Sequence, residues 1–372
     1  MCKILRFTCA LDPLYGGVPQ GISLISKETF HYGISTTIIS CGNSKKARSR
    51  NRKLIEDLTD NNVGVLSSKA FFTNPYGLGG FFKLFFSITQ LKKPDLVVIH
   101  QIWSVSTLLA YVYSRLFSIK FVVMPHGSLS HYHMIKNKSL KKIVFELFIR
   151  RVLIEASNII VTSVFELDEL EDYLKIKARV IPYAVSQQEV NAISRVTNQI
   201  LFAGRITKKK NLDRVIQALP IIKEWNRDVR LVIAGEGPIS FTDEIKKLIV
   251  ESGLEAEVKF LGWMDRTDLK VVMSQSQVFV LPSEYENFAH SVMESLSSGT
   301  PAVVSERVAL AEIVRKYNGG VVIRENSPTE IANGVIFSLA NFDQLSENAI
   351  RAASQEFTWD KVALSWRKLL ED

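Results

Sequence analysis

One stretch of the sequence decides the fold: Glu286-Asn287-Phe288-Ala289-His290-Ser291-Val292-Met293-Glu294. An apolar run, Val278 to Leu281, comes before it, and Gly299 is expected to end the helix that follows. The pattern predicts a strand that leads into a loop, and a loop that opens a helix. In helical geometry, the spacing of the two acids corresponds to roughly 12 Å along the axis. The loop amides at the start of the helix can bind anionic or hydroxyl-rich ligands.

Two acids at this spacing, taken alone, are more often surface residues of a solvated amphipathic helix. The residues around them change that interpretation. From Pro282 to Pro301 the sequence resembles the Glu-x7-Glu signature of the retaining family 4 glycosyltransferases, which have the GT-B fold. Within that family it is similar to bacterial glycosyltransferases that make cell-surface polysaccharides. Asn287 and Ala289 stand where the family commonly has Gly, which predicts a slightly reshaped sugar-binding loop.

The composition indicates a folded globular protein of more than one domain. The chain has 372 residues, 47% of them hydrophobic, which is long for a single core. It lacks the run of about eighteen apolar residues that a membrane-spanning helix needs. Its N-terminus lacks the apolar core of a signal peptide. The three cysteines, Cys2, Cys9 and Cys41, have no metal-binding spacing and fit reduced residues of a cytoplasmic protein.

The charge is unevenly distributed between the two halves of the chain. Residues 1–185 carry 24 basic and 13 acidic side chains, a formal charge of +11, within a total of +8. A basic first half and a mildly acidic second half suggest that one domain alone meets an anionic surface. We find no recognisable nucleic-acid-binding module, so we expect no nucleic-acid partner.

Strand-like runs alternate with helical stretches along the whole chain, seven runs before residue 182 and six after residue 198. This alternation predicts parallel sheets covered by helices. The resemblance makes the expectation specific: an α/β GT-B architecture with two doubly wound, Rossmann-like domains that face a central cleft. We expect an acceptor-side domain over residues 1–183, a nucleotide-sugar-binding domain over residues 184–356, and a terminal helix in residues 357–372 that packs back on the first domain.

A basic turn follows the first predicted strand of the second domain. Gly204 allows the chain to turn, and Arg205 and Lys210 place two cations before a helix. A departing diphosphate accumulates negative charge that fixed cations stabilise. The turn resembles the Gly-Arg-x4-Lys element of the family. That resemblance implies diphosphate binding and catalytic roles for Arg205 and Lys210, and we expect both side chains in an open cleft. No Asp-x-Asp motif is present, so we expect neither a metal nor a cofactor.

Two segments of the first domain carry further candidates. Gly16 and Gly17 follow the first strand, where a Gly pair permits close approach of a ligand or simply a tight turn. The resemblance places them beside the donor. His126 follows the strand Phe121–Met124, and the resemblance implies that it is a catalytic-site residue that hydrogen-bonds a sugar hydroxyl.

The resemblance assigns the remaining donor contacts to the second domain. Glu286 is a catalytic and sugar-binding candidate together with the amides of Asn287, Phe288 and Ala289, and Glu294 is expected to bind the ribose. Gly237, Trp263 and Met264 follow neighbouring strands and are expected near the base. As an alternative, Trp263 packs in the core.

Two stretches of the first domain combine apolar and basic residues, Phe71 to Phe86 and Lys136 to Arg151. Either both are ordinary core helices with solvated basic edges, or they attach the domain to an anionic leaflet at the inner face of the cytoplasmic membrane.

The sequence therefore predicts a retaining, metal-independent hexosyltransferase. Its donor is a UDP- or GDP-linked sugar, and its acceptor is a saccharide or a lipid-linked saccharide. The alternatives are a nucleotide-sugar epimerase of the same fold, or a non-catalytic scaffold that binds nucleotide sugars.

Overall fold

The protein forms two compact units. The computed structural model describes residues 1–11, 16–43, 45–69, 78–134, 142–185 and 194–371. The first unit comprises Met1–Tyr183 and Trp359–Asp372, and the second comprises Ala184–Thr358. The terminal helix, Trp359–Glu371, is therefore part of the first unit.

The first unit is built on a parallel sheet that has seven strands in the described part of the chain, in the order β3-β2-β1-β4-β5-β6-β7. The central strands are rich in Val and Ile and are buried on both faces, as is usual in a parallel sheet, whereas the edge strands β3 and β7 are partly exposed. Their bounds are β1 Cys2–Thr8, β2 Ile34–Asn43, β3 Gly64–Lys69, β4 Leu96–His100, β5 Phe121–Met124, β6 Asn158–Val161 and β7 Ala178–Val180.

Helices connect these strands and cover the sheet. A single-turn 3-10 helix, Thr29–Tyr32, and a π-helical segment, Phe145–Ile149, interrupt the regular pattern. The α-helices are Gly17–Glu28, Lys45–Asp60, Leu78–Thr89, Val105–Leu116, His131–Met134, Arg150–Glu155, Val164–Asp168, Asp172–Lys175 and the terminal Trp359–Glu371.

The second unit has a parallel sheet of six strands among the described residues, in the order β10-β9-β8-β11-β12-β13. In this order the chain reverses direction across the sheet between β8 and β11, and the carboxyl ends of those two strands define the ligand-binding edge of an open α/β sheet. The strands are β8 Gln199–Ala203, β9 Arg230–Ala234, β10 Val258–Gly262, β11 Val278–Leu281, β12 Ala302–Ser305 and β13 Gly320–Ile323.

The helices of the second unit follow the same alternating plan. A 3-10 turn, Lys208–Lys210, comes before the first of them. The α-helices are Leu212–Trp225, Ile239–Glu251, Arg266–Gln275, His290–Ser297, Ala311–Tyr317, Pro328–Ala340 and Phe342–Glu356. Each strand predicted from the sequence is present, with its ends shifted by at most three residues, and the prediction of two doubly wound α/β sheets is confirmed.

The two faces of β1 have different surroundings. Leu5 and Phe7 contribute to the main apolar core of the first unit. Arg6 is fully buried, and its guanidinium carbon lies 4.3 Å from the ring centroid of Trp366 on the terminal helix. Burial lowers the pKa of Arg6 to about 9, with a small opposing effect from Tyr183. The stacked Trp366 ring is thus a principal partner of a buried cation.

The turns after β8, β9 and β10 lie against one another. Gly235 donates its amide hydrogen to the Gly262 carbonyl at 2.7 Å, and Gly204 donates to the Ala234 carbonyl at 2.9 Å. Gly235 has φ +144°, and a Cβ at this position would lie 1.9 Å from the Gly204 carbonyl oxygen. Only glycine permits this approach, which sets the backbone of the loop that carries Arg205.

Within the described ranges, no helix combines the length and the apolar character needed to cross a membrane.

We predict that Trp366→Ala destabilises the first unit by about 3–5 kcal/mol, because it removes a fully buried ring and uncovers the buried Arg6. The measurement is the urea midpoint of unfolding. Leu364→Ala, on the same helix but at a side chain that is 54% exposed, is the matched control. Equal midpoints for the two variants would contradict the role of Trp366.

Candidate functional site

The basic turn of the second unit places its two predicted cations in different environments. After β8 the chain turns at Gly204, forms the 3-10 turn Lys208–Lys210, and enters the helix Leu212–Trp225. Arg205 is exposed, whereas Lys210 is buried. We expected both cations in an open position, and for Lys210 that expectation is wrong, because its side chain folds inward against an acid.

That acid is Glu286, which the backbone fixes in an extended segment. Glu286 forms an isolated parallel bridge with Val308. Its amide hydrogen is donated to the Arg307 carbonyl at 3.1 Å, and its carbonyl accepts from the Ala309 amide at 3.0 Å. Glu286 is therefore not on the helix that carries Glu294, and the helical estimate of the distance between the two acids does not apply.

The carboxylate of Glu286 is held between two lysines. Its Oε1 atom lies 2.8 Å from Lys210 Nζ and 3.5 Å from Lys209 Nζ. Burial acts to raise the pKa of Glu286, but the two ammonium groups outweigh burial, so the pKa lies below its usual value. Burial also lowers the pKa of Lys209, and the nearby cations Lys210 and Arg205 act in the same direction. The site thus places two cations against one ionised carboxylate, with a third cation, Arg205, close enough to act on Lys209.

Sequence reasoning missed Lys209. The family element names Arg205 and Lys210, and Lys209, which lies between these two positions, had no separate signal. The run Lys208-Lys209-Lys210 was visible in the sequence. What was not visible was that two successive lysines of this 3-10 turn reach the same carboxylate, a contact that depends on the fold.

The loop that follows Glu286 opens the helix His290–Ser297 through an unusual residue. Ala289 is the N-cap, with φ +66° and ψ +70°, and it makes no side-chain capping bond. The common Gly of the family would adopt this left-handed conformation without cost, whereas Ala is strained there. Phe288 is buried, with its ring centroid 6.1 Å from that of Phe357. The side chain of Phe288 is thus structural, and only its backbone remains a candidate for ligand binding.

Glu294 lies one turn into the same helix and is 6% exposed. Its Oε1 atom is 2.8 Å from Nε of Arg266, the first residue of the neighbouring helix. Burial raises the pKa of Glu294, and the opposing effect of Arg266 and Lys270 does not cancel it. The two predicted acids therefore differ electrostatically: Glu286 is strongly held as a carboxylate, and Glu294 is more easily protonated.

An arginine fixes the carboxyl end of the Glu294 helix. Arg195 Nη2 donates to the carbonyls of Ser298 and Gly299, both at 2.9 Å. Its Nη1 donates to the Ser276 carbonyl at 2.7 Å and to Thr300 Oγ1 at 2.9 Å. A cation at this end also complements the negative end of the helix dipole.

In the first unit, His126 lies in a hydrogen-bonded row of rings. It has φ +53°, its Nε2 is 2.8 Å from His100 Nδ1, and its Nδ1 is 3.3 Å from the Tyr183 hydroxyl. The turn is held by Glu166, whose buried carboxylate accepts from the Gly127 amide at 2.6 Å. Both ring nitrogens of His126 thus contact protein groups, and the longer contact, to Tyr183, is the weaker one.

The histidines in this row are neutral. Burial, together with the nearby Arg6 cation, lowers the pKa of His126 to about 3. Burial lowers the pKa of His100 as well, with further contributions from His126 and Arg6. His100 carried no signal in the sequence, because a histidine in the last position of a buried strand is more often an ordinary core residue.

The Gly pair of the first unit begins a helix. Gly16 is the N-cap of the helix Gly17–Glu28 with φ +95°, and no side chain caps this end. Its backbone conformation requires glycine. Tyr15, which belongs to the same predicted loop, lies outside the described residues.

The residues predicted near the base follow neighbouring strands of the second unit. Gly237 packs against the backbone, since a Cβ there would lie 2.0 Å from the Ile206 carbonyl oxygen. Trp263 is 50% exposed, so the alternative that it packs in the core is wrong. Met264 is partly exposed beside it. Across the described ranges, no group of three His, Cys, Asp or Glu side chains is arranged to hold a metal ion.

Two protein-family models match consecutive parts of the chain. The model Glycosyltransferase Family 4 matches residues 15–189, and the model Glycosyl transferases group 1 matches residues 186–356. Together they cover residues 15–356, and the protein belongs to the family 4, group 1 glycosyltransferases.

Curated relatives match about half of the chain. An uncharacterized glycosyltransferase of Methanocaldococcus jannaschii is 34% identical over 167 residues, which is 44% of this chain and 42% of the relative. A GDP-mannose-dependent alpha-(1-6)-phosphatidylinositol dimannoside mannosyltransferase of Mycobacterium tuberculosis is 34% identical over 167 residues, 45% of this chain and 42% of the relative. The matches thus span less than half the length of these two relatives.

Solved structures match over the whole length. HepE of Anabaena, in complex with UDP and glucose, is 17% identical with a TM-score of 0.78 and full coverage of both chains. A glycosyltransferase of Rickettsia africae is 18% identical with a TM-score of 0.77, covering 100% of this chain and 98% of its own. At this identity the likeness shows the fold, and the GT-B prediction is confirmed.

Proposed function

We propose that this protein is a retaining glycosyltransferase that moves a sugar from a UDP- or GDP-linked donor to a hydroxyl of a saccharide or lipid-linked saccharide. The observation that carries the proposal is the cluster at the carboxyl ends of β8 and β11, where Lys209 and Lys210 form ion pairs with Glu286 and the charge of Arg205 acts on Lys209. Pathway membership in cell-surface polysaccharide synthesis is part of the same proposal. HepE, a structural relative, was solved with UDP-glucose.

The proposed reaction uses the cluster for charge stabilisation. The bond between the anomeric carbon and the diphosphate oxygen breaks while a bond to the acceptor oxygen forms on the same face. The acceptor's proton passes to the departing phosphate. Arg205 and Lys210 stabilise the negative charge on the leaving group, and no metal is needed for that task. Glu286 and the amides of residues 287–289 bind sugar hydroxyls, and Glu294 accepts hydrogen bonds from the ribose.

The first unit supplies the other proposed contacts. Gly16 and Gly17 leave an uncapped helix start whose amides can bind an anionic group. His126 binds a sugar hydroxyl by exchanging the long Tyr183 contact at Nδ1 while it keeps the shorter one to His100 at Nε2. A neutral imidazole suits this role, because it donates through one nitrogen and accepts through the other.

One assay separates the proposal from its alternatives. Labelled UDP- and GDP-sugars are incubated with the protein, with and without a membrane lipid extract and free oligosaccharides. A labelled acceptor product supports transfer. An isomerised donor would indicate an epimerase, and donor binding without any product would indicate a scaffold.

We predict that Arg205→Ala lowers kcat by about a hundredfold or more, because it removes a cation that acts on the charge of the leaving group. Arg205 is exposed, so folding should be unaffected. The matched control is Arg214→Ala, an exposed arginine on the next helix. Lys210→Ala should lower kcat similarly but also lower the melting temperature, since it leaves Glu286 buried with only Lys209 as a close ion-pair partner. Near-parental kcat in the Arg205 variant would remove the leaving-group assignment.

We predict that the two acids separate nucleotide binding from sugar binding. Glu294→Ala should weaken the binding of free UDP or GDP, whichever the protein binds, regardless of the sugar. Glu286→Ala should leave that binding intact and lower turnover. Calorimetric titration and kcat measure the two effects, and Glu284→Ala, at an exposed acid of the same loop, is the control. Unchanged nucleotide affinity in the Glu294 variant would refute its ribose role.

We also propose that the first unit docks on an anionic membrane face, which brings a lipid-linked acceptor within reach. Three helical segments of this unit lie side by side: Leu78–Thr89, Val105–Leu116 and Phe145–Ile149. The ring centroids of Phe85 and Tyr113 are 6.4 Å apart, and those of Tyr111 and Phe148 are 5.7 Å apart. These segments expose large apolar side chains, of which Leu147 is 78% exposed. The others on this docking surface are Phe82, Phe86, Leu116, Ile143 and Ile154.

Cations accompany these apolar side chains. Lys142, Arg150 and Arg151 are exposed, and Arg150 and Arg151 form ion pairs with Glu146 and Glu155. Exposed ion pairs of this kind contribute little to stability, so these arginines can exchange their glutamate partners for lipid headgroups. Lys136, Lys138 and Lys141, and the aromatic pair Phe71-Phe72, belong to the predicted stretches but lie outside the described residues.

We predict that a triple variant, Lys142→Gln with Arg150→Gln and Arg151→Gln, pellets less with vesicles that contain phosphatidylserine. Each cation near an anionic surface contributes about 1 kcal/mol, and salt should weaken attachment. The matched control changes Arg227, Lys246 and Lys247 to Gln in the second unit, which removes the same charge. Leu147→Ser, compared with the parent by vesicle pelleting at high salt, tests the apolar contribution to attachment. Equal pelleting of both triple variants, or none by the parent, would exclude this docking surface.

A further inference from the structure

Glu294 has a close cationic partner that no sequence motif marked. Arg266 Nε lies 2.8 Å from Glu294 Oε1, and the arginine side chain is partly exposed whereas the carboxylate is nearly buried. The pair joins the first residue of the helix Arg266–Gln275 to the middle of the helix His290–Ser297.

The position of Arg266 on its own helix does not explain its presence. The first turn of a helix carries partial positive charge and favours acids. Asp265 caps this end by accepting from the Asp268 amide at 3.0 Å, and Asp268 adds a second acid. An arginine in this turn gains nothing from the dipole, so its favourable interaction lies across the gap to Glu294. Lys270, one turn later, adds positive charge that acts on the same carboxylate.

The pair matters because ribose binding requires a carboxylate. An ionised Glu accepts from two neighbouring hydroxyls, whereas a protonated one has to donate with one oxygen. Burial favours the protonated form and raises the pKa of Glu294, and Arg266 opposes that effect. The same contact favours one orientation of the carboxylate, since one of its oxygens forms an ion pair with Arg266.

We propose that Arg266 is a positioning residue for nucleotide recognition: it holds Glu294 ionised and oriented for the ribose hydroxyls and does not itself touch the nucleotide. This inference rests on the proposed function, because it takes the ribose of a nucleoside diphosphate as the ligand of Glu294. It extends that function by naming a residue on a different helix that sets the affinity.

The experiment is a double-mutant cycle measured by calorimetric titration with UDP and GDP. The full-length parent, Arg266→Gln, Glu294→Gln and the double variant are compared. In the parent background, Arg266→Gln should weaken binding about tenfold. In the Glu294→Gln background the same change should have less than a twofold effect, because the residue through which Arg266 acts is already lost. Arg266→Lys should restore most of the affinity.

The ligand provides a second cycle. The 2′,3′-dideoxy analogue of the bound diphosphate lacks the hydroxyls that Glu294 would bind. Arg266→Gln should hardly change the affinity of the protein for this analogue. If Arg266 had a merely structural role, Arg266→Gln would weaken the binding of the parent nucleotide and of the analogue equally. Lys247→Gln, at an exposed cation of the same unit, controls for the loss of positive charge.

Each outcome decides the inference. The inference is wrong if Arg266→Gln reduces nucleotide affinity as much in the Glu294→Gln background as in the parent background. It is also wrong if the variant loses as much affinity for the dideoxy analogue as for the parent nucleotide. Either result would mean that Arg266 contacts phosphate or base directly. If the Arg266→Gln variant binds the nucleotide with the affinity of the parent, the ion pair between Arg266 and Glu294 has no part in nucleotide recognition. A parent that binds neither UDP nor GDP would overturn the proposed function, and this inference with it. A parent that binds normally with an unchanged Arg266 variant would overturn the inference alone.

Discussion

A carboxylate removed from water at the edge of a parallel sheet must be compensated, and Glu286 is compensated by Lys209 and Lys210. The neighbouring loops of the second unit are arranged around this pair. The turn at Gly204, which packs against Gly235, leads into the 3-10 turn of residues 208–210 that carries both lysines. With a diphosphate present, the same lysines can be shared between two anions. The ammonium groups that we propose for phosphate binding are already partly removed from water and held by Glu286, which would lower the reorganisation that binding requires.

The sequence was sufficient for the architecture and for the residue types of the site. Apolar runs of four to seven residues that alternate with helical stretches determine a parallel sheet with little ambiguity, because only crossover helices can connect such strands. The Glu-x7-Glu block predicted a strand, a loop and a helix in that order, and β11 and the helix His290–Ser297 follow that order. The family models agree with the resemblance that the block suggested. The roles of the individual site residues stay predictions.

What the sequence could not provide was the pairing of side chains across elements. Lys210 was expected to be open to solvent and is buried, because a lysine in a turn gives no sign of which way its stem will point. His100 and Arg266 had no signal at all, since each becomes meaningful only next to a partner 26 or 28 residues away in the chain. For Trp263 the sequence left two positions open, near the base or in the core, and only the folded structure, in which the residue is half exposed, excludes the core. Burial and long-range charge pairing are properties of the folded arrangement, and local pattern does not encode them.

Arg195 gives the second unit a mechanical property. Its guanidinium is bonded to four oxygen atoms, two of them the last carbonyls behind the Glu294 helix, and its planar carbon lies 4.9 Å from the ring centroid of Phe342. It stands shortly after the point where the chain enters this unit. Hydrogen bonds from Arg195 thus connect the start of this unit to the carboxyl end of the helix His290–Ser297. A force on that part of the chain therefore acts directly, through the Arg195 side chain, on the carboxyl end of the helix that carries Glu294.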